Sequence, residues 1–342
     1  MKNKKLIIFG PWCGEFSYEL SWWNPECRKL RNTKYKDYVA FHIGFEGRGV
    51  MYKDFVDKYI AYPKEIDETL IYPATYGEHD HVNGKDIIPQ NLVDFVNYTI
   101  NNYKKEFDII EEHSPGSIPI TRERCLNDYP FGEYIHYKID NKIQDKVTKK
   151  LSKYFNNNRD TVAVMARIRA RFRGRTNLKN WEMEIVKNGA NDYLDWNPDN
   201  WYLFIEKLIN ELNLNVVMIG LNFDIENSPG RGGSITFENN KNIMSWTFEG
   251  EDSLEYQLAL LKATTCSIYG ATGAAVLPFF VNTSTFTQQT KEEGFRLTLG
   301  WEKDLTNNLK NVKIFDKYKN WEIWNTPVDE LFEEFKQFYK EI

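Results

Sequence analysis

Three short apolar runs in this chain end in glycine, and helical patterns lie between them. The runs are Lys5–Gly10 (KLIIFG), Asn215–Gly220 (NVVMIG) and Cys266–Gly270 (CSIYG). A continuous apolar run of this length is typical of a strand that is buried on both faces. Buried strands that alternate with helices form parallel sheets with right-handed crossovers. The sequence therefore predicts an α/β fold built on parallel sheets.

A polar segment, Asn156–Asp160 (NNNRD), divides the alternating pattern into two halves. The chain has 342 residues, which is long for one core and sufficient for two. We predict one domain over residues 1–156, a second over 157–326, and a final amphipathic helix over 327–342. In the first half, the spacing predicts helices over 16–30, with an interruption at Pro25, and over 50–59, 91–107 and 140–155. It predicts strands over 38–43 and 59–62.

The overall charge and the cysteines limit the classes of function. The formal net charge is −5, so the chain as a whole does not have the basic surface of a general nucleic-acid binder. The four cysteines show no CxxC spacing, which indicates reduced thiols and a cytoplasmic protein. The apolar stretch near the N-terminus is too short for a signal peptide, and no segment has the length of a membrane span. No metal site is predicted.

Five arginines alternate along the chain directly after the apolar run TVAVMA: Arg167, Arg169, Arg171, Arg173 and Arg175. In an extended chain, alternate side chains point to one face, so these guanidinium groups would repel one another unless an anion lay opposite. Two interpretations remain open. The row is either a solvated edge strand, or a phosphate site in which Arg167 and Arg169, nearest the buried strand, hold the anion.

The loop after the first strand, GPWCGEFSYEL, is the second candidate region. In open α/β sheets, ligands bind outside the carboxyl ends of the strands. Gly14 allows a tight turn there, and Glu15 stands at the start of the next helix. Glu15 is either a general base or an acid that stabilises the helix N-terminus through the helix dipole. His42, at the end of the second strand, is expected to line the same edge.

The third region is the turn after the strand CSIYG. Its small residues, Gly270, Thr272, Gly273 and Ala274, let a ligand approach the backbone, and free amides at the helix start would face an anion. A plain tight turn is the alternative. Neither a Walker lysine nor a GxGxxG spacing is present, which disfavours a P-loop NTPase and a dinucleotide site.

Taken together, these regions resemble one enzyme family. The segment GEFSYELSWWNPECRKLR resembles the first loop and helix of heptosyltransferase-like glycosyltransferases of the GT-B fold. The segments DWNPDNWYLFIEKLINELNLNVVMIG and SLEYQLALLKATTCSIYGATGAAVLPFFV resemble two further parts of that family, the latter its donor-phosphate unit. The arginine strand is also similar to the Arg-x-Arg strand of fucosyltransferase-like GT-B enzymes. Ala271 and Val276 replace a usual acid and a usual histidine, which argues against heptose as the transferred sugar.

The resemblance implies two Rossmann-like domains that face a cleft, with a C-terminal helix that crosses back to the first domain. It implies a metal-independent, inverting hexosyl- or pentosyltransferase that uses a nucleotide sugar as co-substrate and no other cofactor. The implied catalytic residues are Glu15, as the base, and Arg167. The donor would bind Arg167, Arg169, Gly270, Thr272, Gly273 and Ala274. The acceptor would bind Gly14, Glu15, His42, Arg171 and Arg173.

Three functions remain open at this level. The first is a glycosyltransferase that acts on a glycan or a small acceptor. The second keeps this chemistry but acts on a modified base of DNA, as phage enzymes of this fold do, with the arginines beyond Arg169 on backbone phosphate. The third is a non-catalytic protein that binds nucleotides or anionic glycans.

Overall fold

The computed structural model describes residues 4–12, 16, 19–67, 90–114, 135–169, 194–220, 232–235, 237–246, 253–291, 311–319 and 322–342. The chain divides into two units. One comprises residues 1–138 and 250–255, and the other comprises residues 139–249 and 256–342. The predicted α/β class with parallel sheets is confirmed.

The first unit is built on a four-stranded parallel sheet in the order β3-β2-β1-β4. Its strands are β1 (Lys5–Phe9), β2 (Val39–Gly44), β3 (Lys58–Ala61) and β4 (Ile109–His113). Its helices are α1 (Asn24–Asn32), the short α2 (Lys64–Asp67) and α3 (Gln90–Tyr103). One π turn, Glu19–Trp23, precedes α1, and one 3₁₀ turn, Gly49–Met51, follows β2.

The second unit is built on a six-stranded parallel sheet in the order β12-β11-β10-β5-β7-β9. These strands are β5 (Thr161–Met165), β7 (Asn215–Met218), β9 (Ile243–Ser245), β10 (Cys266–Tyr269), β11 (Thr285–Gln288) and β12 (Val312–Phe315). A separate antiparallel ribbon joins β6 (Arg167–Arg169) to β8 (Gly232–Ser234).

Four further helices complete the described chain: α4 (Asn141–Phe155), α5 (Pro198–Asn210), α6 (Ser253–Ala263) and α7 (Val328–Glu341). Two 3₁₀ helices, Gly273–Val281 and Ile323–Asn325, lie between them. The core of the second unit packs α5 and α7 against the sheet, with Trp201, Phe204 and Phe286 fully or almost fully buried.

Helix α4 belongs to the second unit, so the division falls at residue 138 and not at 156 as we expected. The Asp140 side chain caps this helix by accepting a hydrogen bond from the Lys142 backbone N–H (2.7 Å). Gln144 donates to the Ala259 carbonyl (3.0 Å), and the Tyr154 hydroxyl donates to the Ile243 carbonyl (2.8 Å). These bonds attach the helix to its own unit near both of its ends, so the polar segment Asn156–Asp160 lies inside that unit.

Helix α7 also packs within the second unit. Its buried side chains all belong to that unit's core: Leu331, Phe332, Phe335 and Phe338. The Phe335 ring lies edge-on to Phe286 of β11, with 5.5 Å between the ring centroids. The apolar face of the helix is buried on α5 and the second sheet, where its aromatic side chains pack. The crossing of this helix to the first domain, which the resemblance implied, stays a prediction.

Three elements of the first half differ from their predictions. The expected helix over 50–59 is only the turn Gly49–Met51, because the Asp57 N–H and carboxylate both bond to the Ala40 backbone and lead the chain into β3. Pro25 does not interrupt a helix but stands in the first turn of α1, where its missing N–H costs nothing. Strand β4 was not predicted, since its sequence, IIEEH, has only two apolar residues.

Stacked rings surround His42 in the core of the first unit. The ring centroids of Tyr52 and Tyr59 lie 3.6 Å and 5.5 Å from that of the imidazole. The Trp23 indole N–H donates to His42 Nε2 (2.9 Å). Because an indole nitrogen only donates, Nε2 is unprotonated and the neutral ring carries its proton on Nδ1. Burial lowers the pKa of His42 well below its usual range.

This lowered pKa predicts a dependence of stability on pH. Below about pH 6.5 the unfolded chain binds a proton at His42 that the folded chain does not, so stability falls as the pH falls, by up to ~1.4 kcal/mol per pH unit. His42→Gln keeps an acceptor for Trp23 but does not titrate. Denaturant unfolding of both proteins from about pH 5 to about pH 8 measures the difference between their free energies of unfolding. That difference should change with pH, and a constant difference would contradict the lowered pKa of His42 in the folded protein.

Neighbouring residues of α5 provide a second prediction. Phe204 is fully buried, whereas Leu203 is 51% exposed. We expect Phe204→Ala to lower the free energy of unfolding by ~3–5 kcal/mol through lost contacts and a cavity. Leu203→Ala, on the same helix, should change it by less than ~0.5 kcal/mol. Equal effects in denaturant unfolding would show that α5 does not pack as described.

Candidate functional site

At the carboxyl edge of the first sheet, the segment after β1 passes very close to the end of β2. Gly10 has a φ of +113°, and a Cβ atom at this position would lie 2.5 Å from the Ile43 carbonyl oxygen. Only glycine fits both constraints. The loop that carries the predicted base therefore starts from a fixed point on this edge.

A buried carboxylate, Glu19, lies in the π turn that follows this loop. It accepts hydrogen bonds from the Tyr52 hydroxyl (2.8 Å to Oε1) and from Arg48 Nη1 (to Oε2). Burial raises the pKa of Glu19, and the adjacent Arg48 charge opposes that rise. Burial likewise raises the pKa of Tyr52, with the Glu19 charge adding to it. The carboxylate thus holds an arginine at the edge of the sheet.

The Arg48 guanidinium group is also stacked on aromatic rings. It lies 4.2 Å from the ring centroid of Phe45 and 4.9 Å from that of Phe16, and its side chain is 19% exposed. Neither Glu19 nor Arg48 was predicted from the sequence. The only sign of Arg48 in the sequence is its position between two glycines directly after a strand (EGRG).

The acceptor residues predicted for this unit have different outcomes. Gly14 and Glu15 lie outside the described residues, so their roles stay predictions. His42 stands on β2 near the edge, as expected, but its ring is fully buried in the aromatic stack. The structure therefore places His42 in the core and not on a surface that a ligand contacts.

In the second unit, the arginine row does not continue the buried strand. Strand β5 ends at Met165, and the chain turns at Ala166 into β6, where Arg167 pairs with Ser234 and Arg169 with Gly232. Both arginines therefore lie on a ribbon that follows the carboxyl end of β5. The remaining members of the row, Arg171, Arg173 and Arg175, lie outside the described residues.

Arg167 forms a buried ion pair with Asp195. Its Nη1 donates to Asp195 Oδ1 at 2.5 Å, with Arg167 6% exposed and Asp195 fully buried. A solvated edge charge is therefore the wrong description of Arg167. Asp195 was not singled out in the sequence, although it stands two residues before Asn197, whose side chain caps α5 by accepting from the Asp199 N–H (3.0 Å).

The glycine turn after β10 meets Arg167 at this same edge. A Cβ atom at Gly270 would lie 3.1 Å from Arg167 Cβ and 3.3 Å from Trp201 Cζ2, and the Gly270 N–H donates to the Met165 carbonyl (3.1 Å). Absence of a side chain at Gly270 lets these groups come together. The structure thus brings two predicted donor residues, Arg167 and Gly270, into contact.

The 3₁₀ helix Gly273–Val281 starts directly after this turn. The Thr272 hydroxyl oxygen accepts from the Ala274 N–H (3.4 Å), and Thr272, Gly273 and Ala274 are half-buried. The N-terminus of a helix carries a partial positive charge and unbonded N–H groups. A cation and a helix start at one edge of a parallel sheet suit an anionic group such as a diphosphate.

Among the residues that the structure describes, no group of three or more His, Cys, Asp or Glu side chains is arranged to hold a metal ion. In that same part of the chain, no helix is long and apolar enough to cross a membrane.

The chain matches no protein-family model and no curated protein. It does match solved structures. ADP-heptose LPS heptosyltransferase II of E. coli aligns with a TM-score of 0.55 and 10% identity, over 99% of each chain. A glycosyl transferase family 9 protein of Veillonella parvula aligns with a TM-score of 0.49 and 9% identity, over 99% of this chain and 98% of that one. E. coli heptosyltransferase WaaC with ADP aligns with a TM-score of 0.47 and 10% identity, over 98% of this chain and 99% of that one. The chain therefore shares the fold of E. coli heptosyltransferase II over almost its whole length, which confirms the GT-B fold predicted from its sequence.

Proposed function

We propose that this protein is a glycosyltransferase that moves a sugar from a nucleotide-sugar donor to an acceptor hydroxyl. The observation that carries the proposal is the meeting of Arg167 with the Gly270 turn and the helix start at Thr272, on one edge of the second sheet. The shared fold with E. coli heptosyltransferase II supports it, since that protein is named for ADP-heptose.

Sugar transfer needs stabilisation of the diphosphate that leaves the donor. Arg167 and the N–H groups at the start of the 3₁₀ helix would supply it, and Arg169 would add a second cation. Asp195 keeps the Arg167 guanidinium in place through the 2.5 Å hydrogen bond, so no reorientation is needed as charge develops. These cationic groups take the role that a metal ion has in other enzymes, and we propose transfer without one.

The acceptor hydroxyl needs a base, for which we propose Glu15 in the loop after β1. Glu19, four residues further on, is excluded from this role because it is fully buried and already accepts bonds from Arg48 and Tyr52. Attack by a base-activated hydroxyl opposite the departing diphosphate inverts the anomeric centre, and we propose that outcome.

We propose a glycan or small molecule as the acceptor. The nucleic-acid alternative rests on Arg171, Arg173 and Arg175, which lie outside the described residues, and no contact of the described residues favours it. Ala271 and Val276 stand where the resembling family has an acid and a histidine, so we propose a transferred sugar other than heptose.

Donor binding is tested with a panel of ADP-, GDP-, UDP-, CMP- and dTDP-linked sugars. Binding to the native protein should raise its free energy of unfolding, by ~2.7 kcal/mol at a ligand concentration one hundred times Kd. The readout is the midpoint of thermal unfolding, and the matching free sugars without nucleotide are the control. If no nucleotide sugar shifts the midpoint, the proposed function is wrong.

The role of Glu15 is tested by Glu15→Gln, which keeps the size of the side chain but removes the base. With a donor from the panel, turnover should fall ~100- to 10,000-fold, while the donor-induced shift in the unfolding midpoint should remain. Glu106→Gln, at an exposed position of the same unit, is the control and should leave turnover unchanged. Turnover measured in EDTA tests the proposal that transfer needs no metal ion. The anomeric configuration of the product, determined by NMR, tests the proposed inversion. Unaltered turnover in Glu15→Gln would exclude Glu15 as the base.

A further inference from the structure

Gln288, the last residue of β11, is a buried amide whose side chain makes no hydrogen bond to the part of the chain that the structure describes. It is 1% exposed, and neither its Nε2 nor its Oε1 has a partner among the residues that the structure describes. Buried polar groups in native proteins are almost always hydrogen-bonded, since an unmade bond there lowers stability. An exception of this kind at the carboxyl edge of a parallel sheet points to a function.

The next residue shows that an amide in this segment is able to find a partner. Gln289 is 4% exposed, and its Nε2 donates to the Thr287 hydroxyl oxygen at 2.7 Å. The side chains of the two glutamines point to opposite faces of the sheet, because successive residues of a strand alternate between its faces. Gln288 shares its face with Phe286, two residues earlier, and Phe286 lies in the core on the side of α5 and α7.

The strand register places Gln288 beside the candidate donor residues. In the parallel pair β10–β11, Ile268 is opposite Phe286 and Tyr269 is opposite Thr287. Continued by one residue beyond the end of β10, this register places Gly270 opposite Gln288, on the same face. The edge of the Trp201 indole contacts this face of Gly270, and its Nε1 is also buried without a partner among the described residues. Gln288 therefore lies in one layer with Gly270, Arg167 and Trp201.

We infer that Gln288 is a residue that recognises the donor, an inference that rests on the proposed function. A carboxamide offers one donor and one acceptor side by side, so its ligand must present the reverse pair. A nucleobase edge and a pair of neighbouring sugar hydroxyls both have this chemistry. The hydrogen bonds that Gln288 leaves unmade in the ligand-free protein are made when the nucleotide sugar binds, with the side chain turning about its single bonds to reach it.

Gln288→Met tests this inference, because methionine has almost the same length and shape but no amide. In the ligand-free protein the midpoint of thermal unfolding should stay or rise, since no internal hydrogen bond is lost. The Kd for a nucleotide sugar that stabilises the wild type should rise about tenfold or more, as expected when two hydrogen bonds are removed. Gln289→Met is the matched control and should do the reverse, with a lower unfolding midpoint and an unchanged Kd.

A second arm identifies the part of the donor that is recognised. If Gln288→Met raises the Kd for the nucleoside diphosphate as much as the Kd for the nucleotide sugar, the amide binds the nucleoside. If it raises only the Kd for the nucleotide sugar, the amide binds the sugar. A lower unfolding midpoint for ligand-free Gln288→Met, or an unchanged Kd for both ligands, would overturn the inference while leaving the proposed function intact. A wild type that binds no nucleotide sugar would overturn both.

Discussion

The edge of the second sheet depends on the buried ion pair between Arg167 and Asp195. These residues are separated by a long stretch of chain, and their hydrogen bond joins the ribbon after β5 to the residues that begin α5. Burying two charges is costly, and an apolar pair of similar volume often stabilises a protein as well or better. A pair buried in such a place therefore indicates a need for geometry, here a guanidinium group held beside Gly270.

The first unit contains a comparable arrangement at the carboxyl edge of its own sheet. Glu19 is buried and bonded to Arg48, as Asp195 is to Arg167. In each unit, the arginine comes soon after a buried strand, and the carboxylate comes from a segment that leads into a helix. The carboxylate limits the conformations of a long side chain, so an arginine at the edge is held in a defined orientation.

The fold was largely predictable because buried parallel strands are continuous apolar runs, as in KLIIFG and NVVMIG. Strand β4 escaped prediction because an edge strand needs few apolar residues, and the helix expected over 50–59 failed because Asp57 bonds to β2, a contact distant in sequence. Of the site, the sequence predicted Arg167 and Gly270 at one edge. It did not predict Asp195, the carboxylate partner of Arg167, since nothing in the sequence distinguishes a buried aspartate from an exposed one. The placement of the Gln288 amide beside the donor residues likewise follows from the strand register, which the sequence does not show.

The position of α7 has a consequence for the synthesis of the protein. The core of the second unit uses side chains from Val162 to Phe338, and the aromatic residues of α7 cover strands formed much earlier in the chain. Domains tend to fold as they leave the ribosome, but this one lacks its covering helix until Phe338 has emerged. During that interval Phe286 and Phe204 are without their final partners, so the nascent chain exposes apolar surface that a chaperone is suited to protect.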